Sequence, residues 1–202
     1  MANLSERLSA NFTLGELLRS NTAERFPRLK EQQLNPPPDV LKSLRYVVTT
    51  VLQPIRDQLS YPMRITSGYR SPSINKKVGG SSTSQHVKGE AADCQLSANF
   101  LSDRAAAAAR NLVRKKVKEI TGKPIRSDAN ANFYLFAFIC LHLENLDIDQ
   151  VIHEYGEGFG QPSWIHIAAS KRQDKRQILC VGSYTGKKYL KPTLAEALAY
   201  GT

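Results

Sequence analysis

Two histidines and one aspartate have the residue types of a catalytic metal site. His86 and Asp93 lie seven residues apart in the run 84–93, and His166 follows far downstream, close to Trp164. Two imidazoles and one carboxylate leave a fourth position on Zn²⁺ open for water, as in zinc hydrolases. The three residue types therefore indicate a zinc-dependent hydrolase.

The spacing of His86 and Asp93 favours a loop followed by a strand. On one helix, residues seven apart would lie roughly 10 Å apart along the axis, whereas zinc bonds to nitrogen and oxygen are only about 2 Å long. A turn at Gly89 and a strand through Asp93 bring the two side chains together more easily. Cys94 then points to the opposite face of the strand, so we do not expect it to bind the metal.

The segment around His166 alternates in the manner of a strand. With a period of two, Trp164, His166 and Ala168 share one face, while Ile165 and Ile167 point into a core. A simpler interpretation is also open, because two of the four histidines in such a chain are commonly surface groups or satisfied core groups.

Longer motifs surround these residues. They are the run 67–72 with its arginine, then Asn75 and 79–81, the S-x-H-x-x-G-x-A-x-D run of 84–93, the upstream stretches 12–17 and 52–56, and the downstream stretches 149–155 and 164–167. In this order they resemble the D-Ala-D-Ala carboxypeptidase-like family of peptidoglycan zinc peptidases, and within it the branch common in bacteriophage genomes. The resemblance covers most of residues 11–170, and several motifs agree in it rather than one.

The resemblance implies roles for five residues. His86, Asp93 and His166 match the ligands of Zn²⁺. Arg70 matches the arginine that binds a carboxylate of the peptide substrate, for which a guanidinium fork is suited and lysine is not. Ser84 matches a serine two residues before the first histidine ligand, either as a hydrogen-bonding partner of the substrate or as an ST-turn that shapes the loop.

The general base is where the chain departs from part of the family. Several relatives carry an acid three residues before the second histidine ligand, but this chain has Ser163 there. The nearest candidates are His153, Glu154 and Glu157, and strand alternation sends His153 and Glu154 to opposite faces. We prefer Glu154, because phage-type relatives resemble this chain in having glutamate there. An alternative role for Glu154 is to orient a zinc-bound histidine.

The implied activity is zinc-dependent hydrolysis of peptide bonds in peptidoglycan, in stem peptides or cross-bridges. A carboxypeptidase and an endopeptidase would use the same metal, so the bond that is cut stays open. The enzyme would be phage-encoded and act in lysis, as an endolysin, or in entry, with the peptidoglycan peptide as substrate and virion or lysis proteins as further partners. An alternative of another class is a catalytically silent wall-binding or structural virion protein that retains the fold. Ser163 keeps it open.

The length of 202 residues suits one well-cored domain. We expect a single zinc peptidase domain over 1–202, with a core at 11–170 and a basic, alanine-rich insertion or lid at about 97–128. Strands are expected near 63–66, 150–155, 163–168 and 177–184. Helices are expected at 39–59, which Pro54 should kink or divide, and within the apolar stretch 133–145. The fold class is α+β, with a small antiparallel sheet that carries the zinc ligands and helices packed around it. The resemblance implies the hedgehog/DD-peptidase-like version of this architecture.

The net charge of +10 suits an anionic partner such as a cell wall, a membrane surface or nucleic acid. Part of this charge lies in the run 114–118, which we interpret as a solvated helix face. Aromatic residues for stacking on bases are not interleaved with it, so nucleic acid is the weakest of these partners.

Three features bear on the cellular location. Residues 1–10 lack the apolar run of a secretory signal, and the stretch 133–143 is too short for a membrane span. The odd number of cysteines, Cys94, Cys140 and Cys180, favours buried free thiols and a reducing compartment. We therefore expect synthesis in the bacterial host cytoplasm without a signal peptide, and action at the cell wall or in the virion.

Overall fold

One five-stranded sheet carries the residues that the sequence analysis selects. The computed structural model describes residues 2–156, 160–172, 175–182 and 189–202. The strands are β1 (Arg64–Ser67), β2 (Ala91–Gln95), β3 (Gln150–Glu154), β4 (Trp164–Ala168) and β5 (Gln177–Val181), in the spatial order β1-β2-β4-β3-β5. All neighbours are antiparallel except β3 and β5, which run parallel. The predicted antiparallel sheet is thus confirmed for four strands, and the edge strand β5 makes the sheet mixed.

The register of the central strands places the candidate ligands side by side. Asp93 on β2 is directly opposite His166 on β4, and Ser67 on β1 is opposite Asp93 on its other side. Residues opposite each other in antiparallel strands have Cβ atoms about 4.5–5.5 Å apart. Pairing of β2 with β4 therefore brings together two side chains that are 73 positions apart in the sequence.

Helices surround the sheet and form the core with it. They are α1 (Leu14–Leu18), α2 (Asn21–Arg25), α3 (Lys30–Leu34), α4 (Pro38–Val47), α5 (Gln53–Leu59), α6 (Pro72–Lys77), α7 (Ala107–Thr121), α8 (Ala131–Leu141) and α9 (Leu194–Ala199). Helix α8 is apolar on all sides and packs against β3 and β4, where Ile165 and Ile167 are fully buried. The expected α+β class and the buried apolar helix are confirmed. Among the described residues, no helix combines the length and the apolar character that a membrane span requires.

The helix expected at 39–59 is divided close to Pro54, as the sequence predicts. Five residues of π-helix, Val48–Leu52, separate α4 from α5, and Pro54 follows at the start of α5. Proline has no N–H to donate to the preceding turn, so a wider turn accommodates the chain there.

The segment 97–128 contains α7, which packs on the body of the protein. Its buried residues Ala109, Val113 and Val117 face α8 and α9, and the basic run 114–118 is otherwise exposed. No described residue of 97–128 lines the cleft that holds the candidate ligands. Its role as an insertion or a lid stays a prediction.

The three cysteines are free and buried, as expected. Cys94 packs in the core rather than in the cleft, on the face of β2 opposite to Asp93. Burial raises the pKa of the Cys180 thiol to about 12. Burial raises the pKa of Cys94 and Cys140 as well, and none of the three thiols belongs to the candidate metal group.

Gly89 is required by both conformation and space, and this leads to a stability prediction. It ends the 3₁₀ helix Gln85–Lys88 with φ +69°, and a Cβ there would lie 2.7 Å from Val40 O. Gly79 has φ +71° but nothing within 4 Å of such a Cβ. We expect Gly79→Ala to lower the free energy of unfolding by roughly 1–2 kcal/mol, and Gly89→Ala by about 1–3 kcal/mol more because of the overlap.

Urea unfolding of both variants measures the difference, because the midpoint reports stability when the slope is unchanged. The two alanine variants share the positive φ and differ in the crowding at Val40. Equal losses in both would contradict a tight fit of Gly89 against α4.

Candidate active site

Three buried side chains converge on one point at the centre of the sheet. His86 Nε2 and His166 Nδ1 each lie 3.1 Å from Asp93 Oδ1, and the two nitrogens lie 3.2 Å from each other. Tetrahedral zinc with bonds of about 2.0–2.1 Å separates its ligand atoms by roughly 3.3–3.4 Å. The spacing of the three atoms thus fits one zinc ion. Among the described residues this is the one group of three or more metal-binding side chains.

In each ring, the nitrogen that points away from Asp93 (the outer nitrogen) has a hydrogen-bond partner. In a neutral ring, that partner determines whether the nitrogen facing Asp93 (the inner nitrogen) carries a proton or a lone pair. His86 Nδ1 lies 2.7 Å from the carbonyl oxygen of Gly68, which only accepts, so this nitrogen carries the proton. A side chain at Gly68 would overlap the backbone of Leu17 in α1, so only glycine lets the carbonyl sit there. His166 Nε2 lies 3.3 Å from Gln85 Oε1, to which it donates in the same way.

The inner face of the site consequently contains acceptors only. With both neutral rings protonated on their outer nitrogens, His86 and His166 direct lone pairs towards each other and towards Asp93 Oδ1. Three acceptors within about 3 Å repel one another unless a metal ion or a proton lies between them. The donor set of two imidazoles and a carboxylate suits Zn²⁺.

Asp93 is held as a carboxylate. Burial acts to raise its pKa, but His86 and His166, when their inner nitrogens are protonated, outweigh burial and hold the pKa of Asp93 well below its ordinary value. Its second oxygen, Oδ2, accepts from Arg70 Nη2 at 2.5 Å. The side chain is thus fixed with Oδ1 facing the two histidines.

Arg70 lies in the cleft and contacts a candidate ligand as well. Its Nε donates to Ser67 Oγ at 2.8 Å, and its Nη2 to Asp93. No described residue accepts a hydrogen bond from Nη1, and about a fifth of the side chain is exposed, 22%. Arg70 therefore has donor capacity left for a substrate group.

Of the two candidate bases that the structure describes, Glu154 lies in the cleft and His153 does not. It sits opposite Trp164 across β3 and β4, and Trp164 Nε1 donates to its Oε2 at 2.6 Å. Burial is the main cause that raises the pKa of Glu154 above its ordinary value. His153 is fully buried on the other face, against Phe136, and Glu157 lies outside the described residues.

Ser84 and Ser163 occupy different surroundings. Ser84 lines the cleft at the start of the 3₁₀ helix, and its side chain makes no capping hydrogen bond there. Ser163 is outside the cleft lining, and its backbone N–H donates to the carbonyl of Glu154 at 2.9 Å. A substrate contact by Ser84 stays a prediction.

The cleft itself is large and rich in cations. Its volume is about 880 Å³, and Arg70, Ser84, His86, Glu154 and His166 all line it. Four further basic side chains line it, namely Arg19, Lys88, Lys175 and Lys191. A peptide fits such a volume, and the charge favours a ligand that carries carboxylates.

Sequence reasoning missed Gln85 and Asp149. Gln85 Nε2 donates to Asp149 Oδ2 at 2.7 Å, on the side of the amide away from His166. Gln85 directly precedes a candidate ligand, which was a usable signal. Nothing local distinguishes Asp149, because its burial arises only when β3 pairs with β4.

A family model described as Peptidase M15 matches residues 10–125, which are 116 of the 202 residues. The match includes Arg70, Ser84, His86 and Asp93 and ends before Glu154 and His166. No curated protein matches the chain. The matched region contains the first two candidate ligands, His86 and Asp93. The third, His166, lies outside it, and the pairing of β2 with β4 places it beside Asp93.

Proposed function

The chain belongs to the Peptidase M15 family of zinc metallopeptidases, and from that membership we propose that it hydrolyses peptide bonds of peptidoglycan at the centre formed by His86, Asp93 and His166. The observation that carries the proposal is the convergence of three side-chain atoms that can each offer a lone pair to one metal ion, 3.1–3.2 Å apart. His86, Asp93 and His166 would hold Zn²⁺, and a zinc site with three protein ligands would keep its fourth position for water.

The protein's own residues position and move the proton. When bound, zinc supplies a Lewis acid that polarises the scissile carbonyl and lowers the pKa of a water molecule towards about 7. Glu154 accepts the proton of the attacking water at its carboxylate and returns it to the leaving amine. Burial raises the pKa of Glu154 above its ordinary value, which makes its carboxylate a stronger proton acceptor.

Arg70 is proposed to bind a carboxylate of the substrate. Nη1 has no acceptor among the described residues, and the neighbouring contacts to Ser67 and Asp93 hold the guanidinium in place. A fixed, planar donor recognises a carboxylate with little further loss of side-chain freedom. Ser84, in the same cleft, is proposed as a second polar contact of the substrate.

The basic cleft and the net charge of +10 support action on an anionic cell wall. We propose that the protein acts there as a bacteriophage lysis or entry enzyme. Detection of the protein in purified phage particles would select entry, and its confinement to the infected cell would select lysis.

The direct test measures zinc content and products on one preparation. We expect one zinc ion per chain and release of peptide fragments from purified peptidoglycan. Mass analysis separates loss of a terminal residue, as by a carboxypeptidase, from opening of a cross-bridge, as by an endopeptidase. A zinc-free chain that binds walls without releasing fragments would contradict the proposal and favour a silent wall-binding protein.

The contact between Trp164 and Glu154 predicts a change in pH dependence. The Trp164 N–H stabilises the ionised carboxylate, so Trp164→Phe removes a cause that lowers the pKa of Glu154. The base works only when ionised, and its activity is lost as pH falls through its pKa. The acidic limb of kcat/KM should therefore move to higher pH, by roughly 0.5–1 pH unit for one lost hydrogen bond.

The pH profiles of the wild type and of Trp164→Phe, recorded at equal zinc content, measure this shift. A limb that stays in place or moves to lower pH would show that Glu154 is not the group that titrates.

A further inference from the structure

Asp149 is a fully buried carboxylate outside the set of candidate ligands. It directly precedes β3, and its backbone is paired on both sides, with Asp149 N donating to Ala168 O and Gln177 N donating to Asp149 O. Its Oδ1 accepts from Lys175 N at 3.3 Å, with Lys175 Nζ at 4.0 Å. Its Oδ2 accepts from Gln85 Nε2 at 2.7 Å. A carboxylate in this position costs free energy to bury, and its side-chain contacts all lead to donors.

These contacts determine which way the Gln85 amide points. An ionised carboxylate accepts hydrogen bonds and donates none, so Asp149 requires the amide nitrogen of Gln85 on its side. The amide oxygen is then the atom that faces His166 Nε2, at 3.3 Å. That oxygen also accepts only, so it favours the tautomer in which His166 Nε2 carries the ring proton and His166 Nδ1 carries the lone pair.

In both histidines an acceptor oxygen beside the outer nitrogen favours a lone pair on the inner nitrogen, but the source of that oxygen differs. His86 is fixed by the backbone carbonyl of Gly68, which no side-chain replacement can turn into a donor. His166 is fixed by two side chains in series, either of which can be changed. Asp149 orients the Gln85 amide, and the oxygen of this amide then favours the ring proton on His166 Nε2 and the lone pair on Nδ1.

We propose that Asp149 is a positioning residue that selects the metal-binding tautomer of His166 through Gln85. The inference rests on the proposed function, in which His166 Nδ1 holds the metal. A residue with no contact to the three candidate ligands then controls whether the third ligand has a lone pair to offer.

The hydrogen bonds from Asp149 through Gln85 to His166 are called the relay below. The isosteric variant Asp149→Asn should reverse the orientation of the Gln85 amide and the preferred tautomer of His166. Lys175 N keeps an acceptor oxygen on its side, so the new amide nitrogen faces Gln85. The Gln85 amide then turns, its nitrogen donates to His166 Nε2, and the ring proton moves to Nδ1, where the metal would bind. Changes of this kind around a metal ligand typically weaken metal affinity about 10–100-fold, and we expect a zinc dissociation constant larger by about that factor.

Nitrogen NMR of the histidine rings tests the relay without metal. In zinc-free protein with neutral rings, Asp93 Oδ1 competes for the proton of His166 in both proteins, because it lies 3.1 Å from Nδ1. The share of His166 that is protonated at Nε2 should therefore be larger in the wild type than in Asp149→Asn. The double variant Gln85→Glu with Asp149→Asn is the rescue, because the new carboxylate accepts from His166 Nε2 on one oxygen and from the new amide on the other. It should restore both the wild-type tautomer and zinc affinity, which a merely structural role of Asp149 would not do.

A second variant keeps the test valid if Asp149→Asn does not fold. Gln85 is only half-buried, and Gln85→Met removes the acceptor of His166 Nε2, so both tautomers should be populated. An unchanged share of the Nε2–H tautomer in either variant would show that Asp149 does not act on His166 through Gln85. Absence of zinc from the wild type would instead contradict the proposed function, whereas the tautomers decide the relay independently of it.

Discussion

Alanine at His86, Asp93 or His166 abolishes zinc binding and, with it, the release of peptides from peptidoglycan. Each change removes one of three ligand atoms that lie 3.1–3.2 Å apart, and the two that remain cannot complete a tetrahedral site. Lewis acidity supplies several kcal/mol of transition-state stabilisation, so the rate should fall roughly 10³-fold or more. Zinc per chain and soluble fragments from purified walls are the two measurements.

His142→Ala is the matched control. This histidine is half-buried, stacks on Phe138 with ring centroids 4.3 Å apart, and is not part of the candidate metal group. It should keep full zinc content and turnover. Full zinc and turnover in all three ligand variants would refute the metal centre as assigned.

Asp93→Asn separates loss of the metal from loss of the fold. Arg70 keeps an oxygen on its side, so the new amide nitrogen points between His86 and His166 and donates to their lone pairs. The zinc-free variant should therefore be at least as stable as the zinc-free wild type, while zinc binding is lost. Thermal unfolding of both proteins in the presence of a chelator makes the comparison.

Glu154→Gln retains zinc and loses turnover, by about 10²–10⁴-fold if proton transfer is lost. The new amide oxygen can still accept from Trp164 Nε1, so the cleft keeps its shape. It cannot take a proton from water near neutral pH. Steady-state rates at matched zinc content are the measurement, and the loss should appear in kcat rather than in KM.

Glu90→Gln provides the control in the same cleft. Glu90 lines the cleft and accepts from Ser170 Oγ at 2.9 Å, away from Trp164. Its neutralisation should leave kcat close to that of the wild type. An unchanged rate in Glu154→Gln would transfer the role of base to Glu157 or His153, of which His153 is buried on the far face.

Local patterns in the sequence were sufficient to predict the faces of the strands. A period of two placed Ile165 and Ile167 in the core and Cys94 away from Asp93, and the structure agrees. The positive φ at Gly89 confirms the turn that brings His86 back over β2. These features depend on a few consecutive residues, which is why they could be predicted.

The rest depends on the order of strands, which no local pattern encodes. Gln85 and Asp149 meet across 64 positions because β4 lies between β2 and β3. The parallel pairing of β5 with β3 and the π-helical turn before Pro54 are likewise results of packing. The relay to His166 could therefore be found only in three dimensions.

The central position of β4 has a consequence for the timing of folding. Strand β4 lies between β2 and β3 although it follows both in the chain. A chain synthesised only as far as β3 carries two of the three ligands, and Asp93 has Ser67 opposite it on one side but no partner on the side that β4 later occupies. Contacts of such long sequence separation form late in folding. The centre is therefore completed only when most of the chain has been synthesised and β4 has paired with β2 and β3. The time course of metal binding during refolding then reports this last step.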